Sequence, residues 1–170
     1  MRSDDPYDGG WDERLAALWN AIDQLEPAVF RARMGALAAE RPGEARALFE
    51  LASAHDATDR EEEAARYYQE AFAAGLSGDL RVQAVIQYAS TLRNLGRAQE
   101  GADLLTAERA AAGAGGPLVD EISAFTALAL LDLGRDREAA LLALRALTPH
   151  LSRYRASVTG YLDVLEREGC

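Results

Sequence analysis

A short phrase recurs three times between Glu44 and Leu151. It reads Thr58-Asp59-Arg60-Glu61-Glu62-Glu63-Ala64, then Leu95-Gly96-Arg97-Ala98-Gln99-Glu100-Gly101, then Leu133-Gly134-Arg135-Asp136-Arg137-Glu138-Ala139. Asp59, Gly96 and Gly134 are separated by 37 residues (59 to 96) and 38 residues (96 to 134). Each phrase follows a helix-like run and opens another. A repeat of this length built from helix, turn and helix cannot bury its apolar face alone, and neighbouring copies stack. The expected fold is an all-α solenoid of three helical hairpins.

The spacing predicts helices over about 44–57 and 61–75, 80–95 and 97–112, and 118–133 and 135–147. The first pair faces inward with Leu48, Leu51, Ala52 and His55, then Ala64, Tyr68, Ala71 and Phe72. The second does so with Val85, Tyr88, Ala89 and Leu92, then Gly101 and Leu105; the third with Ala127 and Leu130, then Ala139, Ala143 and Ala146. Small residues recur where the two helices of a hairpin must approach: Ala52 with Ala64, Ala89 with Gly101, Ala127 with Ala139. Gly96 and Gly134 stand where first helices end, and glycine enters the left-handed conformation of a C-cap without steric cost. Asp59 holds that place in the first hairpin and tolerates it moderately. Glu61, Glu62 and Glu63 fall in a first helical turn, where carboxylates offset the positive end of the dipole.

Before the repeats, Trp11, Leu15, Leu18, Ile22 and Leu25 are spaced four, three, four and three, one stripe of an amphipathic helix. Pro27 suits the first turn of a second helix with Phe30, Met34 and Leu37, which Pro42-Gly43 stops. Two readings of this hairpin stay open. It caps the end of the repeat core, or Trp11, Leu15, Leu18 and Ile22 face a second chain as a short heptad-like seam. Beyond the repeats, Leu151, Tyr154, Val158, Tyr161, Leu162 and Leu165 predict a final helix that covers the last hairpin. The chain thus parses into an acidic disordered lead (1–10), an N-terminal helical hairpin (11–43), three repeats (44–151, about 45–78, 82–115 and 120–151), and a capping helix with its tail (152–170).

Composition narrows the function. Net charge is −10, from 28 acidic against 18 basic residues, so phosphate backbones and anionic membranes are repelled; nucleic acid and membrane are not expected partners. Every basic residue is arginine, which removes lysine Schiff bases, lysine general bases and the lysine of a phosphate-binding loop. Arginine in place of lysine, with abundant alanine, reads as a GC-rich bacterial gene. There is no apolar run of the ~18 residues a membrane span needs, and no apolar leader, so a soluble cytoplasmic protein is expected. Asp4, Asp8 and Asp12 lack the alternation of a calcium loop. Ala110 to Pro117, rich in glycine, reads as a linker and not a phosphate cradle, with no strand before it. The single cysteine, Cys170, and the separated histidines, His55 at a packing position and His150 beside Pro149 at a helix start, assemble neither a metal site nor a nucleophilic centre. No catalytic residue, metal or cofactor is expected, and the chain reads as no enzyme.

In the first hairpin Leu48, Leu51, Ala52, His55, Ala64, Tyr68 and Ala71 succeed one another at spacings of 3, 1, 3, 9, 4 and 3, which resembles the tetratricopeptide repeat. Departures are specific: His55, Leu92 and Leu130 replace an aromatic near the end of the first helix, and the closing proline is missing after two units. Ala74-Gly75-Leu76-Ser77-Gly78, Gln87 to Arg97, Ala127-Leu128-Ala129-Leu130, and Pro149-His150-Leu151 with Arg153-Tyr154 further resemble a small, uncharacterised bacterial family of such proteins, from about residue 12 to 165. The resemblance implies protein-interaction modules, homodimers among them, and a concave side lined by the first helix of each pair. On this chain that lining is Arg46, Phe49 and Ser53; Gln83, Ile86, Ser90, Arg93 and Asn94; and Glu121, Ala124 and Leu128. Arg93 would offer a guanidinium fork to a carboxylate, Asn94 a backbone contact and Ile86 an apolar floor. The lysine clamp of some relatives has no counterpart. The expectation is a protein or peptide partner and a possible homodimer; the alternative is a regulatory domain holding a short peptide or small ligand in the groove.

Overall fold

The computed structural model describes residues 10–113 and 115–168. The acidic lead before Gly10, Ala114 of the linker, and Cys170 lie outside the described residues. The described chain is helical, with no strand, and runs α1 (Trp11–Asn20), α2 (Pro27–Ala38), α3 (Ala45–Asp56), α4 (Glu61–Ala73), α5 (Gly78–Asn94), α6 (Ala98–Ala112), α7 (Val119–Asp132), α8 (Asp136–Leu147) and α9 (Arg155–Glu168). Short 3₁₀ turns follow α1 at Ile22–Gln24 and α8 at Thr148–His150. Two compact units divide the chain at Ala84 and Val85, within α5.

In the first unit, α3 and α4 form a closely packed hairpin with α2 against α3. The stripe of α1 is buried in its own chain: Trp11, Leu15 and Leu18 join Phe30, Met34, Leu37, Ala47 and Ala54 in one core. Both indoles are anchored. Trp11 Nε1 donates to the Leu37 carbonyl at 2.9 Å, and Trp19 Nε1 donates to a Glu50 carboxylate oxygen at 2.7 Å. Trp19 also meets Phe30 edge-on, with ring centroids 5.2 Å apart. Ile22, the last of the four seam residues, is half-buried against the same core. Of the two readings of the N-terminal stripe, these contacts support packing on the chain's own core.

In the second unit, α6 packs on α7 and α7 on α8. Gly101 of α6 is buried at the crossing with α5, where a β-carbon would lie 2.8 Å from the Ala89 carbonyl oxygen. That distance is why the second hairpin carries glycine where the first and third carry Ala64 and Ala139. The helix expected over about 97–112 is α6, which runs through Ala110, Ala111 and Ala112, because alanine is the strongest helix former, and ends at Gly113 with φ +72°.

The three recurring phrases fold alike. Asp59, Gly96 and Gly134 have φ of 56°, 74° and 70°. The next amide, of Arg60, Arg97 or Arg135, donates back to the carbonyl of His55, Leu92 or Leu130 at 2.8–2.9 Å. This is the six-to-one bond of a Schellman cap. The same arginine then opens the second helix and pairs with the glutamate three residues on: Arg60 with Glu63, Arg97 with Glu100 at 2.7 Å, Arg135 with Glu138 at 2.7 Å. One arginine thereby serves the stop and the start of successive helices.

Burial fades toward α9. The positions one turn after Ala64, Gly101 and Ala139 are Tyr68, Leu105 and Ala143; the first two are buried, at 0% and 1%, and Ala143 is exposed. The final helix does not cover the last hairpin with the stripe expected of it. Only Leu162 is fully buried, at 2%, while Tyr154, Tyr161 and Leu165 face solvent. Charge orients α9 instead: Arg145 of α8 binds Asp163 and Glu166, and Arg137 donates to the Leu165 carbonyl at 2.6 Å. His150 begins no helix; it closes the second 3₁₀ turn and lies 2.9 Å from Asp120.

Candidate interaction surfaces

The first helices of the hairpins are α3, α5 and α7, and the side chains expected to line a groove differ sharply in availability. In the first unit, Phe49 and Ser53 are buried, and Phe49 packs at 6.5 Å from the Tyr68 ring. Arg46 is half-buried, paired with Asp12 at 2.6 Å and lying 5.2 Å from the Trp11 ring. Gln83 alone of this group is open to solvent. In the second unit Ile86 is buried and so gives no floor, and Ser90 is half-buried. Arg93 is engaged with Asp132 of α7 at 2.5 Å, so its fork already holds a carboxylate. Asn94, Glu121, Ala124 and Leu128 are exposed. The losses share one cause: a helix packed on two sides buries an arc wider than a single stripe.

What the sequence reading missed is the extent of the α7 face. Leu131 is 50% exposed beside Leu128 at 40%, so Glu121, Ala124, Leu128 and Leu131 run along one side at i, i+3, i+7 and i+10. The opposite side of α7, with Ile122, Thr126, Ala129 and Leu130, is buried. The unbroken apolar run Ala127-Leu128-Ala129-Leu130-Leu131, too long for one face of a helix, was the available signal. At its C-terminal end a recess of about 640 Å³ is lined by Arg93, Gly96, Arg97, Asp132 and Leu133. A second hollow, of about 730 Å³, opens between α6 and α8 over Thr126 and Leu130, with Arg109 and Arg135 on its rim.

The titratable groups serve packing and pairing. Burial pushes the Glu50 carboxyl above its ordinary range, against the indole bond from Trp19, which draws it down. Burial also lowers His55, whose ring lies 5.2 Å from that of Tyr67. Hydrogen bonds from arginine hold Glu63, Glu100 and Glu138 below the usual carboxylate range. Among the described residues no group of three histidine, cysteine, aspartate or glutamate side chains is placed to hold a metal, and no helix is long and apolar enough to cross a membrane.

Paired helices with a recurring cap and small residues at the crossings define an all-α helical-repeat protein. The family model described as the tetratrico peptide repeat matches residues 45–165, and the chain belongs to that family. Comparison with curated proteins and with solved structures found no match. Repeats of this family are protein–protein interaction scaffolds and typically non-catalytic.

Proposed function

We propose that this chain is a non-catalytic adaptor of the bacterial cytoplasm that holds a partner protein along the outward face of α7. The observation that carries the reading is the stripe Glu121, Ala124, Leu128 and Leu131, apolar but for its first residue and open to solvent on a helix whose other side is packed. Anchors at this spacing suit the apolar face of an amphipathic partner helix. Asn94 and the Arg93–Asp132 pair serve a partner's polar groups, the exposed pair itself contributing little to stability. A net charge of −10 weighs against nucleic acid and anionic membranes. Capture from lysate of the source cell tests the reading. Leu128→Glu/Leu131→Glu should lose a protein that the wild type and Gln83→Ala both retain, with helicity by circular dichroism unchanged. Equal capture by all three would sink it.

A second reading has one observation in its favour. The recess beside Arg93 is large enough for a short peptide or small ligand, as a regulatory domain would need. A thermal-shift screen of metabolites and peptides separates the two, since a ligand bound there raises Tm in the wild type and not in Arg93→Ala/Asn94→Ala.

A further inference from the structure

Both α6 and α8 pack on α7, and the hollow of about 730 Å³ occupies the gap they leave between them. The first unit has the same arrangement, with α2 and α4 on either side of α3, but there the gap holds only about 260 Å³, with Tyr67 of α4 among its walls. The offset between Asp59 and Gly134 is 75 residues (59 to 134), and the same offset from Tyr67 reaches Leu142 (67 to 142). Leucine thus stands in the second unit where a ring narrows the gap in the first. From α6 the hollow is lined by the small residues Ala102, Thr106, Ala110 and Gly113. Its volume lies in the range that small-molecule sites occupy. The floor is apolar. Leu130 is 6% exposed, and the Thr106 and Thr126 hydroxyls donate to the Ala102 and Ile122 carbonyls at 2.7 Å, so neither proton is available to a ligand. The charged groups of the wall are satisfied within the protein, with one exception. Arg135 holds Glu138 through two hydrogen bonds, at 2.7 and 2.8 Å, and Asp103 accepts from Gln99 at 2.8 Å. Arg145, in an adjoining hollow, is held by Asp163 and Glu166. The Arg109 side chain lines both hollows and, among the described residues, has no hydrogen bond or ion pair.

We propose that this hollow binds a small amphipathic monocarboxylic acid, its carboxylate held by Arg109 and its apolar body lying over Leu130 and Leu142. A guanidinium presents a planar fork that matches a carboxylate through two parallel hydrogen bonds. The charge of the ligand follows from the wall. Arg109 is the one cation there without a partner, while Asp103 and Glu138 stand on the same wall. A phosphate monoester, with nearly two charges, would meet those carboxylates with a single guanidinium to offset them. A neutral ligand would gain nothing from Arg109 and would cover part of its hydration. A peptide segment would bring backbone amides and carbonyls over a floor whose hydroxyls are already bonded internally. The free acid needs only the fork and the apolar floor. The hollow shares no lining residue with the outward face of α7 or with the recess beside Arg93, so it stands independently of both.

Isothermal titration calorimetry of the full chain with octanoate and with 4-phenylbutyrate tests it. At least one of the two acids is expected to bind once per chain, with Kd below about 1 mM. The carboxamide of that acid, and phenyl phosphate, should each bind at least about tenfold more weakly. Arg109→Gln, at an exposed helix position, should weaken the acid by about tenfold or more. Leu142→Tyr, which supplies the ring that Tyr67 provides in the first unit, should abolish binding. Arg93→Ala/Asn94→Ala and Leu128→Glu should leave the affinity unchanged, which separates this site from the recess and from the α7 face. Absence of saturable binding by both acids overturns the proposal. So does binding that Arg109→Gln leaves unchanged, binding that Arg93→Ala/Asn94→Ala abolishes, or an amide or phenyl phosphate held as tightly as the acid. Should Leu142→Tyr lose helicity by circular dichroism, Arg109→Gln decides alone by the same criterion.

Discussion

At the scale of single residues, two tryptophans and one carboxylate hold the first unit together. Glu50 is 7% exposed and accepts from the Trp19 indole, in a site whose burial raises its carboxyl and disfavours the charged form. A carboxyl with a raised folded pKa stabilises the fold fully below its unfolded value and loses that contribution as pH rises through the folded one. Glu50→Gln keeps an oxygen for the indole and removes the buried charge. We expect it to be more stable at pH 7 by on the order of 1 kcal/mol, with the gain vanishing near pH 4. Thermal melts at the two pH values check this; a Gln variant less stable at pH 7 would mean that the charge is offset by Arg46 more fully than burial opposes it. None of this was legible from the chain alone. Trp19 reads only as a neighbour of the apolar stripe, and its partner is 31 residues away.

At the scale of elements, each hairpin is defined by the same cap, and sequence carries that cap well. Gly96 and Gly134 announce it, and Asp59 fills the same position with φ 56°. A non-glycine residue there is strained, though aspartate less than most. Asp59→Gly should therefore stabilise the first hairpin by about 0.5–1 kcal/mol, the relief of strain exceeding the added freedom of the unfolded chain. Gly134→Asp should cost about as much. Chemical denaturation of the two variants measures both, and equal stability of all three chains would deny the cap its role. The Arg-x-x-Glu pairing beneath each cap was equally open to reading, since Arg60/Glu63, Arg97/Glu100 and Arg135/Glu138 stand in the recurring phrase itself. Helix faces were less legible. Phe49 and Ile86 read as groove lining and are buried, because the number of neighbours packed around a helix is invisible in its own periodicity.

For the molecule as a whole, arginine–carboxylate bonds recur through both units: Arg14 with Glu40, the three cap pairs, and Arg145 with Glu166. Each holds its glutamate below the ordinary value of about 4.3. A depressed carboxylate stabilises the fold above its unfolded pKa and loses that contribution as pH falls through the folded one. Tm should fall as pH drops from about 5 to about 3, and Glu63→Gln/Glu100→Gln/Glu138→Gln should flatten the fall. An unaltered pH profile in that variant would place acid sensitivity elsewhere. Local pattern was enough for the helices, their caps, the small residues at the crossings and the family, because each depends on residues within a turn or two of one another. It was not enough to say which side of α7 or α9 meets water, or that Arg93 is already bound to Asp132 across 39 residues. Those outcomes depend on surfaces brought together from distant parts of the chain. An amphipathic stripe shows that a helix has a face to bury; its neighbours in the fold settle whether that face is covered.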